Sequence, residues 1–206
     1  MKRIVWLLMA VILCLTGCHT EDAAESDPVS GSESFESSAN DWGEQVKENQ
    51  SIPDTDAVAS VNGVPISKER YENYKAGLQN AQVKFTDEQV LDKMIRREVL
   101  YQEIERLGIT VEEDEVRAFN EERFAMIDDD PVTYQIFKDY ADGLGITLEE
   151  YKEMSMEVSR DSLLTTKYQE HLIAQYEKEK SELSFDAYYE QNLDRLVEKA
   201  AIEIYE

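Results

Sequence analysis

The sequence is poor in cysteine, histidine and cationic residues. Both cysteines, Cys14 and Cys18, lie within the first 18 of the 206 residues. The rest of the chain therefore has no disulfide framework, zinc knuckle or cysteine nucleophile. Only 21 Lys and Arg oppose 45 Asp and Glu, which gives a formal net charge of −24. Because such a surface repels phosphate backbones, we expect no nucleic acid among the partners.

Long apolar runs are also scarce, and the clearest one lies at the N-terminus. Residues 4–14 are uncharged and apolar, and they follow Lys2 and Arg3. This run is too short to span a bilayer as a helix and predicts a signal-peptide core over residues 1–18. Residues 15–18, Leu-Thr-Gly-Cys, resemble the lipobox of bacterial lipoproteins. That resemblance implies a diacylglyceryl group on Cys18; the alternative is an ordinary secretory signal with an incidental cysteine.

Residues 19–56 lack any hydrophobic period and are rich in serine and acidic residues. This stretch has eleven acids and one cation, Lys47, and it holds Trp42, one of the two tryptophans. Such a composition cannot bury enough apolar surface to offset the entropy of ordering. The pattern predicts a disordered acidic tether over 19–56, with Trp42 outside the core.

The pattern changes at residue 57, where two short apolar arms flank Asn62-Gly63. Asn-Gly is typical of a tight hairpin turn, and Pro65 keeps the second arm out of a central strand. We therefore predict a small edge β element. Apolar and aromatic residues then recur at helical spacing, and residues 201–205 alternate like a strand.

Helix starts are marked by hydroxyl residues that cap the following segments. These candidate caps are Ser67, Thr86, Thr110, Thr147 and Ser184. The segment after Thr147 is predicted to be the longest helix and to reach about residue 180, and the last helix to reach about residue 199. The prediction for 57–206 is a mainly α, multi-helix domain whose small β element combines the Val-Asn-Gly segment with the C-terminal strand.

Three stretches resemble the N-terminal domain of SurA-like and PrsA-like extracytoplasmic foldases. They are Val-Ala-Ser-Val-Asn-Gly-Val-Pro-Ile at 58–66, Leu-Gly-Ile-Thr-Val at 107–111 and Leu-Gly-Ile-Thr-Leu-Glu-Glu-Tyr at 144–151. The resemblance implies that the last helix returns to the first ones and that the terminal strand pairs near the Val-Asn-Gly element. The lipobox suits PrsA-like members and favours the extracytoplasmic face of a Gram-positive cell membrane.

The sequence departs from this family in one respect. Catalytic members insert a parvulin prolyl isomerase domain between the long helix and the last helix, whereas only residues 180–183 separate them here. Parvulin sites also use histidines, and this chain has only His19 and His171. We interpret His171 as an ordinary helix residue. We therefore expect no isomerase activity, no other catalytic residue and no cofactor.

Two acidic runs are candidate metal sites by composition alone. Residues 112–115 and 128–130 lack the alternating acids, the central glycine and the final glutamate of a calcium loop. Residues 112–115 are better explained as a helix start, where carboxylates are favoured by the helix dipole. We expect no metal; weak cation binding at 128–130 stays open as an alternative, whereas no motif selects a carboxylate pair for glycoside hydrolysis.

Tyrosine and methionine are the candidate contacts for a flexible ligand. Tyrosine combines an aromatic body with a polar tip, and methionine adapts to varied shapes. The candidate peptide-binding residues are Tyr71, Tyr74, Met94, Tyr134, Tyr140 and Met154. The alternative for each one is ordinary core packing.

Together these features predict a membrane-anchored, chaperone-like protein that binds unfolded or newly exported polypeptides. The net charge of −16 over 57–206 favours basic clients. A second copy of the chain, in a homodimer, is a further candidate partner. The alternative function is a structural or adaptor lipoprotein that binds one specific partner in the cell envelope.

Overall fold

The computed structural model describes residues 32–53, 55–81 and 83–205. The predicted signal peptide and Cys18 lie outside these residues. In chain order the described elements are α1 (Ser32–Asn49), β1 (Ala57–Val61), β2 (Val64–Ser67), α2 (Lys68–Asn80), α3 (Asp87–Arg106), α4 (Glu113–Asp128), α5 (Pro131–Leu144), α6 (Leu148–Met154), α7 (Met156–Glu179), α8 (Phe185–Lys199) and β3 (Ile202–Ile204). The mainly α prediction is confirmed. In the described part of the chain, no helix combines the length and apolar character needed to cross a membrane.

The three strands form one small antiparallel sheet in the order β2-β1-β3. Asn62 and Gly63 have φ values of 51° and 84°, as a tight hairpin turn requires. Pro65 lies on an edge strand, where its missing N–H costs no central pairing. β3 pairs with β1, with Ala59 opposite Ile204. Both the hairpin and the terminal strand pairing are therefore confirmed.

Four of the five predicted caps are confirmed. Ser67 and Ser184 accept hydrogen bonds from backbone N–H groups of the helices that follow, and Thr86 and Thr147 form reciprocal capping boxes. The prediction for Thr110 was wrong. Glu112 caps α4 instead, and the carboxylate of Glu115 accepts a hydrogen bond from the Glu112 N–H. This bond is one half of a capping box, in which the side chain at the third helical position accepts from the N-cap N–H.

The predicted longest helix is divided at Ser155 into α6 and α7. The Nδ2 of Asn120, on α4, donates to the Lys152 carbonyl at 2.9 Å, and the Ser159 hydroxyl donates to the Asn120 Oδ1 at 2.8 Å. Asn120 therefore fixes the chain on both sides of the break. The partner of these groups is distant in sequence, so the helical period of 148–180 does not reveal the break.

Three apolar clusters form the described core. The first joins the sheet to α2 and α3 through Ala59, Val61, Ile66, Tyr71, Tyr74, Leu78, Val90, Met94, Ile95 and Val99. The second joins α3, α7 and α8 through Leu100, Ile104, Tyr168, Leu172, Tyr188, Tyr189 and Leu193. The third joins α4 and α5 through Phe124, Ile127 and Phe137, with Leu148 and Tyr151 packed against them. α3 contributes to the first two clusters and so links them.

The predicted disordered tether is wrong for residues 32–49, which form α1; residues 19–31 lie outside the described residues. α1 packs against α5 and α2. The Trp42 ring lies 4.3 Å from the Tyr140 ring, centroid to centroid. Gly43 and Gly143 let the backbones of α1 and α5 approach closely, because a Cβ at Gly143 would lie 2.2 Å from the Asn40 carbonyl oxygen. Small residues permit this close approach, so it leaves little trace in a hydrophobic pattern.

Three glycine substitutions test this interface. In an open helix position, Gly→Ala raises the free energy of unfolding by about 0.5–1 kcal/mol. At Gly143 and Gly43 the new Cβ would meet backbone at 2.2 Å and 2.3 Å, whereas at Gly77 it would meet the Trp42 side chain at 3.3 Å. We expect Gly143→Ala and Gly43→Ala to lower the free energy of unfolding by about 1–3 kcal/mol through overpacking. Gly77→Ala should change it by less than about 1 kcal/mol.

The measurement is urea unfolding of a 19–206 fragment, in which Trp42 is the only tryptophan. We also expect Trp42 emission to shift to the red in the Gly143→Ala variant, because α1 moves away from Tyr140. Equal or greater stability of that variant, with unchanged emission, would contradict the close packing of α1 on α5.

Candidate functional site

A groove of about 700 Å³ lies between α3, α7 and α8 and ends at the β1–β2 turn. This volume lies in the usual range of ligand-binding clefts. The lining residues are Asn62, Val99, Gln102, Glu103, Arg106, Leu107, Tyr168, His171, Leu172, Gln175, Asn192, Arg195, Leu196, Lys199 and Ala200. They come from four separate parts of the chain, so only the folded protein assembles them.

The floor of the groove is apolar. Val99, Tyr168 and Leu172 are buried, and Leu107 and Leu196 are partly exposed beside them. On α7, residues 168, 171, 172 and 175 follow the spacing of one helix face. This face presents buried apolar side chains and more exposed polar ones, which suits a ligand that carries both apolar and polar groups.

Asn62 closes one end of the groove. Its Nδ2 donates to the Gln102 Oε1 at 2.7 Å, and its Oδ1 accepts from the Ala201 N–H at 2.9 Å. Gln102 in turn donates from Nε2 to the Val61 carbonyl at 3.0 Å. One amide side chain therefore ties the hairpin turn both to α3 and to the segment that follows α8.

Ion pairs between residues outside the groove lining connect its walls. Arg96 on α3 contacts two carboxylates on α8, Glu190 at 2.9 Å and Asp194 at 2.7 Å. Arg97 on α3 contacts Asp161 on α7 at 2.8 Å. Because these pairs connect α3 with both neighbouring helices, they support the spacing of the three walls.

The opening of the groove carries a group of charged side chains. Arg106 donates two hydrogen bonds to the carboxylate of Glu103, and these bonds raise the pKa of the Arg106 guanidinium. Arg195 donates to the Gln191 Oε1 at 2.7 Å. Lys199 is exposed and has no hydrogen bond or ion pair to any residue in the described ranges. His171 contacts the Gln175 Nε2 at 2.7 Å.

The hydroxyl of Tyr168 belongs to the protected part of the groove. Burial, and then the nearby carboxylate of Glu103, raises the pKa of Tyr168 to about 12. The phenol therefore stays neutral over the whole physiological range. It can offer a hydrogen bond to a ligand but cannot act as a base.

The structure does not bring the six predicted peptide-binding residues together. Tyr71, Tyr74 and Met94 belong to the core beneath the sheet, with less than a tenth of their surface exposed. Tyr140 is partly buried between Trp42 and Tyr151. The other two, Tyr134 and Met154, are exposed, and none of the six lines the groove.

Sequence reasoning missed the residues that do line the groove. One signal was present: Arg195 and Lys199 lie four residues apart on α8, next to the buried Leu193. The apolar period shows that such residues lie near a core boundary. It does not show which helix they face.

The two acidic runs have structural roles. Asp130 caps α5 by accepting from the Val132 N–H at 3.0 Å, and Asp128 contacts Lys152 at 3.3 Å. At the start of α4, Lys167 contacts Glu115 at 2.8 Å, which helps to hold the pKa of that carboxyl below its usual value. In the described ranges, no group of three or more His, Cys, Asp or Glu side chains is placed to hold a metal ion.

One comparison with known proteins identifies a family. The model of the SurA-like N-terminal domain matches residues 41–143, half of the chain. This match includes the second half of α1, the hairpin and the residues from α2 to Gly143, one residue before the end of α5, but neither α7 nor α8. Neither a curated protein nor a solved structure matches the chain.

The ionisation of Tyr168 tests its burial. The neutral phenol is favoured in the folded state, so its contribution to stability is complete below pH 10, the ordinary tyrosine value, and is lost as pH rises towards about 12. We expect the NMR resonance of the Tyr168 Cζ to titrate well above that of the urea-denatured chain. We also expect Tyr168→Phe to lose less stability than wild type over the same pH interval. Titration of Tyr168 at the denatured value would contradict a buried hydroxyl.

Proposed function

The chain belongs to the family of SurA-like N-terminal domains, and on that basis we propose that it is a chaperone-type protein of the cell envelope. It binds unfolded or newly exported polypeptides and catalyses no reaction. The family supports a role in protein folding outside the cytoplasm. The clients, and the surface that binds them, are part of the proposal.

The observation that carries the proposal is the mixed character of the groove. Its floor is apolar, from Val99 and Leu172, and its opening carries amides such as Gln175 and Asn192. An unfolded segment presents apolar side chains together with a backbone rich in hydrogen-bonding groups. A groove with both kinds of surface suits many sequences, each with modest affinity.

Three findings support binding without catalysis. α7 ends at Glu179 and α8 begins at Phe185, so residues 180–184 are the whole connection in which catalytic relatives carry their parvulin domain. The matched family model is that of the N-terminal domain. His171, the only histidine that lines the groove, has an amide as its side-chain partner.

Membrane attachment through Cys18 completes the proposal. Two acyl chains on this cysteine would give stable anchoring, since one chain binds a bilayer only marginally. Residues 19–31 separate Cys18 from α1. A fully extended chain of that length reaches at most about 45 Å, so the helical domain stays near the membrane surface.

Light scattering tests the chaperone-type activity. The full chain, held in phosphatidylcholine nanodiscs, is added to two unrelated unfolded clients, one acidic and one basic, as they are diluted from denaturant. We expect aggregation of both to be suppressed at near-stoichiometric ratios. The control is an equal concentration of empty nanodiscs.

Photo-crosslinking in the same mixtures tests the groove. A benzoylphenylalanine at Gln175, which lines the groove, should crosslink to both clients. The same group at Ala174, exposed and outside the groove on the same helix, should crosslink far less. In the light-scattering test, failure to suppress the aggregation of either client would favour the alternative, an adaptor for one envelope partner. Equal crosslinking from both positions would place the binding surface elsewhere.

A further inference from the structure

The charged residues that line the groove are mostly cations, whereas the protein as a whole is strongly acidic. The chain carries a formal net charge of −24. The charged residues that line the groove are three cations, Arg106, Arg195 and Lys199, and one carboxylate, Glu103; His171 lies among them. A local excess of cations on so acidic a chain marks the groove as the place where an anionic group is favoured.

The cations of the groove are not all committed to internal partners. Glu103 accepts two hydrogen bonds from Arg106 and so neutralises it. Arg195 contacts an uncharged amide, and Lys199 has no hydrogen-bonding or ionic partner in the described part of the chain. In contrast, the cations between helices, such as Arg96 and Arg97, have carboxylate partners. Lys199 therefore keeps its ammonium donors for a ligand, and Arg195 keeps the guanidinium donors that Gln191 does not occupy.

The geometry of α8 places these two cations together. Residues four apart on a helix are neighbours, with Cβ atoms about 5–6 Å apart. A single carboxylate can accept from both a guanidinium and an ammonium at that spacing. The apolar floor made by Leu172 and Leu196 lies in the same groove, within reach of side chains that flank such a carboxylate.

We propose that the groove preferentially binds polypeptide segments in which a carboxylate is flanked by apolar or aromatic residues. Arg195 and Lys199 take the carboxylate and the floor takes its neighbours. The carboxylate can belong to an acidic side chain or to the C-terminus of the client. This inference rests on the proposed function and gives it a substrate class, which differs from the basic clients that the overall charge favours.

The two charge effects act at different distances. The acidic surface acts over roughly a Debye length, about 8 Å at physiological salt, and slows the approach of acidic chains. The cations of the groove act in contact. Acidic segments are therefore expected to bind slowly but to be held selectively once they have entered the groove.

The test uses the full chain in phosphatidylcholine nanodiscs and four dansylated peptides of one sequence, Gly-Ser-Leu-X-Tyr-X-Leu-Ser-Gly. Three are amidated at the C-terminus, with X as Asp, Asn or Lys. The fourth has X as Asn and a free C-terminal carboxylate. Fluorescence anisotropy gives the dissociation constants. The protein variants are Arg195→Gln with Lys199→Gln and, as a control of equal net charge, Arg117→Gln with Lys84→Gln at exposed positions outside the groove.

We expect wild type to bind the Asp peptide, or the peptide with the free carboxylate, about five-fold or more tightly than the amidated Asn peptide. Which of the two is favoured identifies the source of the carboxylate. The groove variant should lose this preference and still bind the Asn peptide as wild type does, whereas the control variant should keep it. Circular dichroism must show the same helix content in all three proteins.

Three results would overturn the inference. One is binding of the Asn or Lys peptide at least as tight as that of both carboxylate peptides. Another is an equal loss of preference in the control variant, which would mean that net charge, not the groove, is responsible. The third is no binding of any peptide, which would overturn the proposed groove function as well; the first two leave that function intact.

Discussion

The pairing of β3 with β1 is the constraint on which the rest of the structure depends. It returns the end of the chain to the first strand, and the Asn62 side chain reinforces it by accepting from the Ala201 N–H, 139 residues away. Closing so long a loop costs entropy, which must be recovered by the contacts that closure permits. Those contacts are the packing of α8 against α3 and α7, secured by Arg96. The walls of the groove follow directly from this closure, because without β3 nothing in the sheet would hold α8 in place.

The charged side chains also serve to hold the helices together. Cations are scarce in this chain, and many of them bridge helices. Arg96 and Arg97 connect α3 to α8 and α7, respectively. Arg160 and Lys167 connect α7 to the start of α4. Most carboxylates of the described residues are exposed to water, and several others cap helices. The cations that line the groove at Arg195 and Lys199 are exceptions to this use, and their location gives the groove a chemical character of its own.

Much of the local structure could be predicted because its causes are local. A hydroxyl at residue 86 or 147 with a Gln or Glu three positions on specifies a helix start, and Asn62-Gly63 specifies a turn whatever surrounds it. The errors have non-local causes. α1 is stabilised by contacts with α5 and α2 that small residues make possible. Asn120, distant in sequence, holds the chain on both sides of the break at Ser155, and the acidic composition of 19–56 hid a helix in which Trp42 packs against Tyr140.

The sequence by itself determined the class of fold, the hairpin, most of the helix starts and the absence of room for a catalytic domain between α7 and α8, since all of these depend on spacing along the chain. It also indicated the family. Only the tertiary structure decided which side chains share the groove. The predicted tyrosines, Met94 and Met154 proved to be core or scattered surface residues, because burial depends on which faces meet. The groove joins Asn62, Arg106, His171 and Lys199 from four segments, and their assembly depends on packing that no single segment encodes.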